Sequence, residues 1–341
     1  LDPDRIYEAA RDHEVCPFEV SLVLLPQVDL VVCDYNYGFD PTVGLSAVLD
    51  CRALRSAVLV GDEALSLGDR CRECYSPGLR LDLLRRARTF LDSRDASPFP
   101  QLRELMDRLV ALLRETVAAE LGEENVGTSE VELPQEDLSD LRLELDGAML
   151  QYFLFKREND RWLADDPAVE VFYTVTRFHR VLLLGGDEFV HLATRSHDGH
   201  EELKIFCRDA SRFLGEVLDE SAGAVAMSAT LEPFDFYRDL LGFDPDRTDT
   251  LHVPSPFPPE HRLVLSIDDV DTTFRRRREH YDSIALWISR LAAPRRNVLT
   301  LFPSYAFLEA VRDRLPPTSH TLLVQQPGST DASQRELLEA L

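Results

Sequence analysis

Two adjacent carboxylates, Asp62 and Glu63, stand just beyond a short apolar run, Ala57-Val58-Leu59-Val60, closed by Gly61. A run of this length and composition reads as a strand buried on both faces, as in a parallel sheet. The carboxyl ends of such strands are where doubly wound sheets bind ligands. Neighbouring acids there suit phosphate chemistry: one holds Mg²⁺ on a nucleotide, the next orients or deprotonates the attacking water. The plainer reading is an acidic helix start after a strand. On the pair alone the plainer reading is preferred.

A second segment reverses that preference. Gly223 to Leu231 reads Gly-Ala-Val-Ala-Met-Ser-Ala-Thr-Leu, another buried-strand run, ending in small hydroxyl residues. The two segments resemble motif II (DEAH) and motif III (SAT) of superfamily 2 helicases. Around them occur, in order, Cys16-Pro17-Phe18-Glu19, Asp34-Tyr35-Asn36-Tyr37 through Asp40-Pro41, Ser228 to Pro233, Ser255-Pro256-Phe257-Pro258-Pro259, Phe302-Pro303-Ser304-Tyr305 and Gln325-Gln326-Pro327-Gly328. This ordered set resembles the XPD/DinG family of iron–sulphur DNA helicases in its bacterial form, and covers most of the chain apart from 78–200.

The resemblance implies an α/β architecture of two RecA-like parallel-sheet motor domains, both incomplete, with a helical arch insertion in the first. The expected division starts with 1–27, the end of an iron–sulphur region, and 28–78, the opening segment of the first RecA-like domain. The arch follows at 79–200, the closing segment of the first RecA-like domain at 201–235, and the second RecA-like domain at 236–341. The resemblance also implies ATP and Mg²⁺ as cofactors, with Asp62 on the metal and Glu63 as base or water-orienting group. Ser228, Ala229 and Thr230 would pass the nucleotide state to the DNA side. Cys16 would be the last of four thiolates on a [4Fe–4S] cluster whose other ligands lie outside this chain. Leu65 departs from the pattern: the family has His there, and Leu can neither donate nor accept a hydrogen bond.

Nucleic-acid contacts are expected at Phe18, by base stacking, at Tyr35, Asn36 and Tyr37, and at Ser304 and Tyr305, where a backbone amide and a hydroxyl could hold a phosphate. Phe18 has an ordinary alternative as a core aromatic, and Tyr35, Asn36 and Tyr37 as side chains that fix a loop. The expected partners are single-stranded DNA and forked or overhang DNA.

Composition bounds these readings. The 341 residues carry a net charge of −24 and are 44% hydrophobic, enough for a sizeable core over two domains. Strong acidity is awkward for a phosphate binder. Arg supplies nearly all the basic charge, Lys occurring only at 156 and 204. The run Arg275 to Arg278 reads as a solvated helix face rather than a DNA contact. Six Cys read as thiols or metal ligands rather than disulfides. Cys71-Arg72-Glu73-Cys74 lacks the second ligand pair of a zinc site, and His191, His197 and His200 read as a polar surface turn. No run of 18 apolar residues is present, so no membrane partner is expected. The expected location is cytoplasmic, on the nucleoid of a bacterium. The chain opens without Met and closes inside a helical pattern, 333–341, which reads as a piece of a longer protein.

The elements that must position these residues follow from periodicity. Asp29 to Cys33 reads as a further buried strand. Leu102, Leu105, Met106, Leu109, Leu112, Leu113, Val117 and Leu121 form one apolar helix face ended by Gly122. Helices are expected again over 136–155 and 167–184, with no strand between 79 and 184. A hairpin joins Glu188–Ala193 to Leu203–Phe206 through Ser196-His197-Asp198-Gly199. A helix follows Asp209-Ala210-Ser211. Beyond 234, strands are expected at 263–267, 298–302 and 321–324, alternating with helices at 280–291 and 305–315, as in a second parallel domain.

No G-x-x-x-x-G-K-[ST] phosphate loop and no late Arg-rich motif occur, so the chain holds half of a nucleotide clamp. Two readings stand: the central part of a 5′→3′ ATP-dependent DNA helicase serving DNA repair or defence, or a degenerate, non-enzymatic helicase-like scaffold that binds nucleic acid or a partner. An unrelated α/β hydrolase would need G-x-S-x-G, which is absent.

Overall fold

In a computed structural model, which describes residues 3–41, 54–92, 99–159, 165–293, 297–329 and positions 333, 335 and 337, the apolar run before the acid pair forms β1 (Val58–Gly61). It pairs in parallel with β6 (Gly223–Ala226), in register Val58↔Gly223 to Gly61↔Ala226. Two segments far apart in sequence are therefore neighbours in one sheet. Cys51, and most of the 333–341 pattern, lie outside the described residues.

The chain divides into Leu1–Leu251 and His252–Leu341. In the first unit, α1 (Pro3–Asp12), α2 (Pro17–Leu24) and α3 (Tyr35–Phe39) precede β1, and α4 (Leu67–Cys74) follows the acid turn. Next come β2 (Gly78–Arg80), α5 (Leu81–Leu91), α6 (Pro100–Leu121), β3 (Gly127–Glu130), α7 (Gln135–Glu158) and α8 (Pro167–Leu184). The hairpin β4 (Phe189–Arg195) and β5 (Glu201–Cys207), then α9 (Ser211–Glu220), lead into β6, and α10 (Phe234–Leu240) follows it.

The apolar stripe of α6 buries Leu102, Leu105, Met106, Leu109, Leu113 and Val117. Each contributes on the order of 2 kcal/mol by leaving water. Gly122 ends the helix at φ +76°, a conformation that costs glycine little. Its carbonyl accepts a 2.5 Å hydrogen bond from Arg195, whose Nε also pairs with buried Glu201 at 2.7 Å. Asp166 caps α8 by accepting from Ala168 N at 3.0 Å and Val169 N at 3.4 Å, with Pro167 opening the helix. The same carboxylate accepts from Tyr152 Oη at 2.9 Å and pairs with Lys156. All three side chains are buried, so the end of α7 and the start of α8 are tied together.

Several expectations differ from what the structure shows. Asp29–Cys33 joins no sheet among the described residues, and Val32 is 90% exposed, as an apolar run is where no neighbouring strand or layer covers it. The 79–184 region is not free of strand, because β3 separates α6 from α7. Its sequence, Gly-Thr-Ser-Glu, has no apolar face and forms a strand only as the edge of a sheet. The hairpin forms where its turn residues put it, but β5 does not belong to the parallel sheet. It lies in a separate antiparallel sheet ordered β2-β5-β4-β3. The first compact unit itself extends to Leu251. Leu240 packs on Gly68 and Leu241 is in the core, so α10 is held there by apolar contact.

In the second unit, α11 (Tyr281–Ala292) and α12 (Tyr305–Arg312) pack Tyr281, Ala285, Phe307 and Val311 into a small core. The strands expected at 263–267, 298–302 and 321–324 form no sheet among the described residues. These segments pair with no strand among the described residues. Leu263 and Leu301 stand 80% and 84% exposed, as apolar strand residues must when no neighbouring layer covers them. A second parallel-sheet domain is therefore not seen among the described residues. The mixed α/β class with a parallel sheet holds.

Candidate active site

Asp62 and Glu63 occupy the turn that leaves β1, and Met227 and Ser228 the turn that leaves β6. The backbones continue to pair beyond the strands: Met227 N donates to Gly61 O at 2.9 Å, and Ala64 N to Met227 O at 3.0 Å. This zipping brings Ser228 Oγ within 3.1 Å of Glu63 Oε2, to which it donates. Glu63 itself adopts the left-handed conformation, φ +53° and ψ 40°, uncommon for a residue with a Cβ. The turn is held by Asp62 Oδ1, which accepts from Glu63 N at 3.0 Å. The Glu63 carbonyl also accepts from Ser66 N at 3.0 Å and Ser66 Oγ at 3.1 Å.

Both acids are exposed, while Ala64 behind them is fully buried. The turn thus presents two carboxylates to solvent from an anchored base. Ala229 and Thr230 lie in the exposed turn after Ser228. Leu65 is 40% exposed at the same end of the sheet.

Tyr35 from α3 is drawn into this site rather than left in a loop. Its hydroxyl donates to the Asp62 carbonyl. Burial, and then the charges of Asp62 and Glu63, push its phenol up from the ordinary value, so it stays a donor. Asn36 Oδ1 accepts from Cys74 Sγ at 3.6 Å, and Tyr37 faces Phe18 with ring centroids 6.0 Å apart. Sequence reading placed Tyr35 near nucleic acid and missed its contact with the acid turn. A donor 27 positions upstream carries no local signal. In the second unit, Ser304 caps α12, its Oγ accepting from Phe307 N at 3.3 Å, and Tyr305 is partly exposed.

Two cofactors implied by the resemblance can be tested against these residues. Mg²⁺ takes one or two carboxylates and keeps several waters or phosphate oxygens. An exposed Asp62 at a strand end fits that donor set. An iron–sulphur cluster needs four ligands. Cys16 is exposed ahead of α2, but among the described residues no group of three or more His, Cys, Asp or Glu side chains is arranged to hold a metal. Of the thiols expected to hold a cluster, the described residues supply Cys16 alone. Cys71, Cys74 and Cys207 are buried thiols: burial first of all pushes Cys71 well up, Cys74 up to about 12 and Cys207 up to about 11. They stay protonated, as core side chains do.

Residues 1–84 match the DEAD_2 family model. Among solved structures, one described as a truncated XPD is 19% identical, over 70% of this chain and 62% of that one, with a TM-score of 0.46. Another, Xpd4 of S. tokodaii, is 16% identical over 90% of this chain and 60% of that one, with a TM-score of 0.48. The chain thus spans less than two thirds of the length of either. The DEAD_2 match covers the stretch that carries the first three ordered motifs, up to and past the acid pair, and residues 1–84 are similar to that family. No helix among the described residues is long and apolar enough to cross a membrane.

Proposed function

We propose that the chain is the central part of an ATP-dependent DNA helicase, with Asp62 and Glu63 as its hydrolytic acids. The reading is carried by one observation, the Ser228 Oγ to Glu63 Oε2 hydrogen bond across paired parallel strands. Asp62 would hold Mg²⁺, which supplies charge neutralisation to the transferred phosphoryl group. Glu63 would orient the attacking water and accept its proton. Because Ser228 donates to the same carboxylate, Glu63's second oxygen is left for that water. Ser228, Ala229 and Thr230 would relay the nucleotide state, driving 5′→3′ movement on single-stranded DNA. The 79–200 region would act as the arch over that strand.

Nucleic acid would be contacted by Phe18, Tyr35, Asn36 and Tyr37 in the first unit and by Ser304 and Tyr305 in the second. Ser304's hydroxyl oxygen accepts from the helix, leaving its O–H to donate to a phosphate. Cys16 would join an iron–sulphur cluster only with thiolates from outside this chain. Forked or overhang DNA, a repair role and a cytoplasmic, nucleoid-associated location belong to the same proposal.

DNA-stimulated ATP hydrolysis by the full-length protein tests it. Glu63→Gln, which keeps shape and loses the base, should abolish turnover; undiminished turnover refutes the assignment. A second reading, a non-enzymatic scaffold, is favoured by Leu65, an apolar side chain where the family has His. Leu65→His should preserve or raise stimulation by DNA if the motor is intact. A clear loss means that Leu65 serves another purpose.

A further inference from the structure

Glu63 stands in a backbone conformation that costs a non-glycine residue roughly 1 kcal/mol or more, so the fold around it must impose that conformation. The rotation that defines it turns on the peptide plane between Asp62 and Glu63. That plane's oxygen, the Asp62 carbonyl, is the atom to which Tyr35 Oη donates. The Tyr35 ring also covers Gly61: a Cβ added there would lie 3.8 Å from Tyr35 Cε1. One side chain therefore touches both the residue before the acid pair and the carbonyl between its members.

The helix that carries Tyr35 is fastened at its other end. Asn36 Oδ1 accepts from Cys74 Sγ at the end of α4. Buried Asp40 pairs at 3.6 Å with Arg177 of α8. Arg177 also donates to the Cys74 carbonyl at 2.8 Å and 3.2 Å, and to that of Glu73 at 3.3 Å, closing the C-terminus of α4. A continuous set of contacts thus runs from the acid turn through α3 to α8. Leu65, with no polar atom in its side chain, cannot make such a link itself.

We propose that Tyr35 is a positioning residue for hydrolysis: its hydroxyl fixes the Asp62–Glu63 peptide and couples the acid turn to α3 and α8. The proposal rests on Glu63 acting as the water-orienting group. Tyr35 acts through Asp62's main chain, so it alters the placement of Glu63 and leaves nucleotide affinity alone.

The experiment is steady-state ATP hydrolysis by the full-length protein with single-stranded DNA, comparing wild type, Tyr35→Phe and Glu63→Gln, with melting curves for each. Tyr35→Phe keeps the ring over Gly61 and removes only the donor. It should lower kcat about fivefold to tenfold, the size of one hydrogen bond in the transition state, with KM for ATP within about twofold. The melting temperature should match wild type. If Glu63→Gln abolishes turnover while Tyr35→Phe retains wild-type kcat, the positioning role is overturned and the acid assignment stands. A kcat loss matched by a lowered melting temperature or a raised KM makes Tyr35 merely structural, and also overturns it. Undiminished turnover in Glu63→Gln instead overturns the assignment of the acids.

Discussion

Ser228 Oγ donates to Glu63 Oε2 over 3.1 Å although the two residues are 165 positions apart. The bond is possible because β1 and β6 are parallel neighbours in register and their backbones stay paired one residue further on. A carboxylate on a left-handed turn thereby gains a fixed partner.

Ser228→Ala removes that partner without disturbing the main-chain pairing. Glu63 is exposed, so loss of the bond leaves no buried polar group behind. Little stability should be lost, while kcat of DNA-stimulated ATP hydrolysis should fall about threefold to tenfold, as a carboxylate no longer held samples other rotamers. Parallel kinetics and chemical denaturation measure both; unchanged kcat would separate Ser228 from the chemistry.

Lys156 and Asp166 form a buried ion pair between α7 and α8. Lys156→Met leaves the Asp166 charge inside the protein with Tyr152 and two backbone amides for company, and should cost about 3–5 kcal/mol. The double variant Lys156→Met/Asp166→Asn should recover some of this, since an asparagine side chain keeps an oxygen to cap α8 and carries no charge. Urea unfolding monitored by circular dichroism reads the difference.

His179 sets a pH dependence. Burial, then the nearby Arg142, hold its pKa below the ordinary 6.5, partly offset by Asp146, and its Nε2 lies 2.9 Å from Ser139 Oγ. The unfolded chain therefore takes up this proton at higher pH than the folded one. Above 6.5 both states are neutral and the group contributes nothing. As pH falls through 6.5 toward the folded value, stability drops, then levels once both states are protonated. Melting temperatures from about pH 7.5 to about pH 5, the range where histidine titrates, should fall less steeply in His179→Gln than in wild type. An equal slope would show that His179 is not a source of the loss.

Much of the first unit was legible because its signals are local. The apolar face of α6, Pro167 opening α8 and the turn between β4 and β5 each specify their element without help from distant chain. The pairing of β1 with β6 was legible only through ordered motifs, since nothing in Val58–Gly61 names its partner. Apolar runs at 29–33, 263–267 and 298–302 carry the same composition as β1 yet join no sheet among the described residues. Strand propensity measures the fit of side chains to a layer, and the layer is not written in the run itself. The contact of Tyr35 with the acid turn was not legible for the same reason: its hydroxyl's acceptor is a main-chain oxygen, which no residue type announces.

The antiparallel pairing of β2 with β5 sets Gly78 opposite Lys204. Everything between them therefore departs from and returns to one place in that sheet. Chain closure there is insensitive to how much lies in between, because its entropic penalty grows only with the logarithm of length. Length added or removed at exposed turns within that excursion should therefore cost the acid turn little, so long as the shared core stays filled and Arg177 still reaches Asp40.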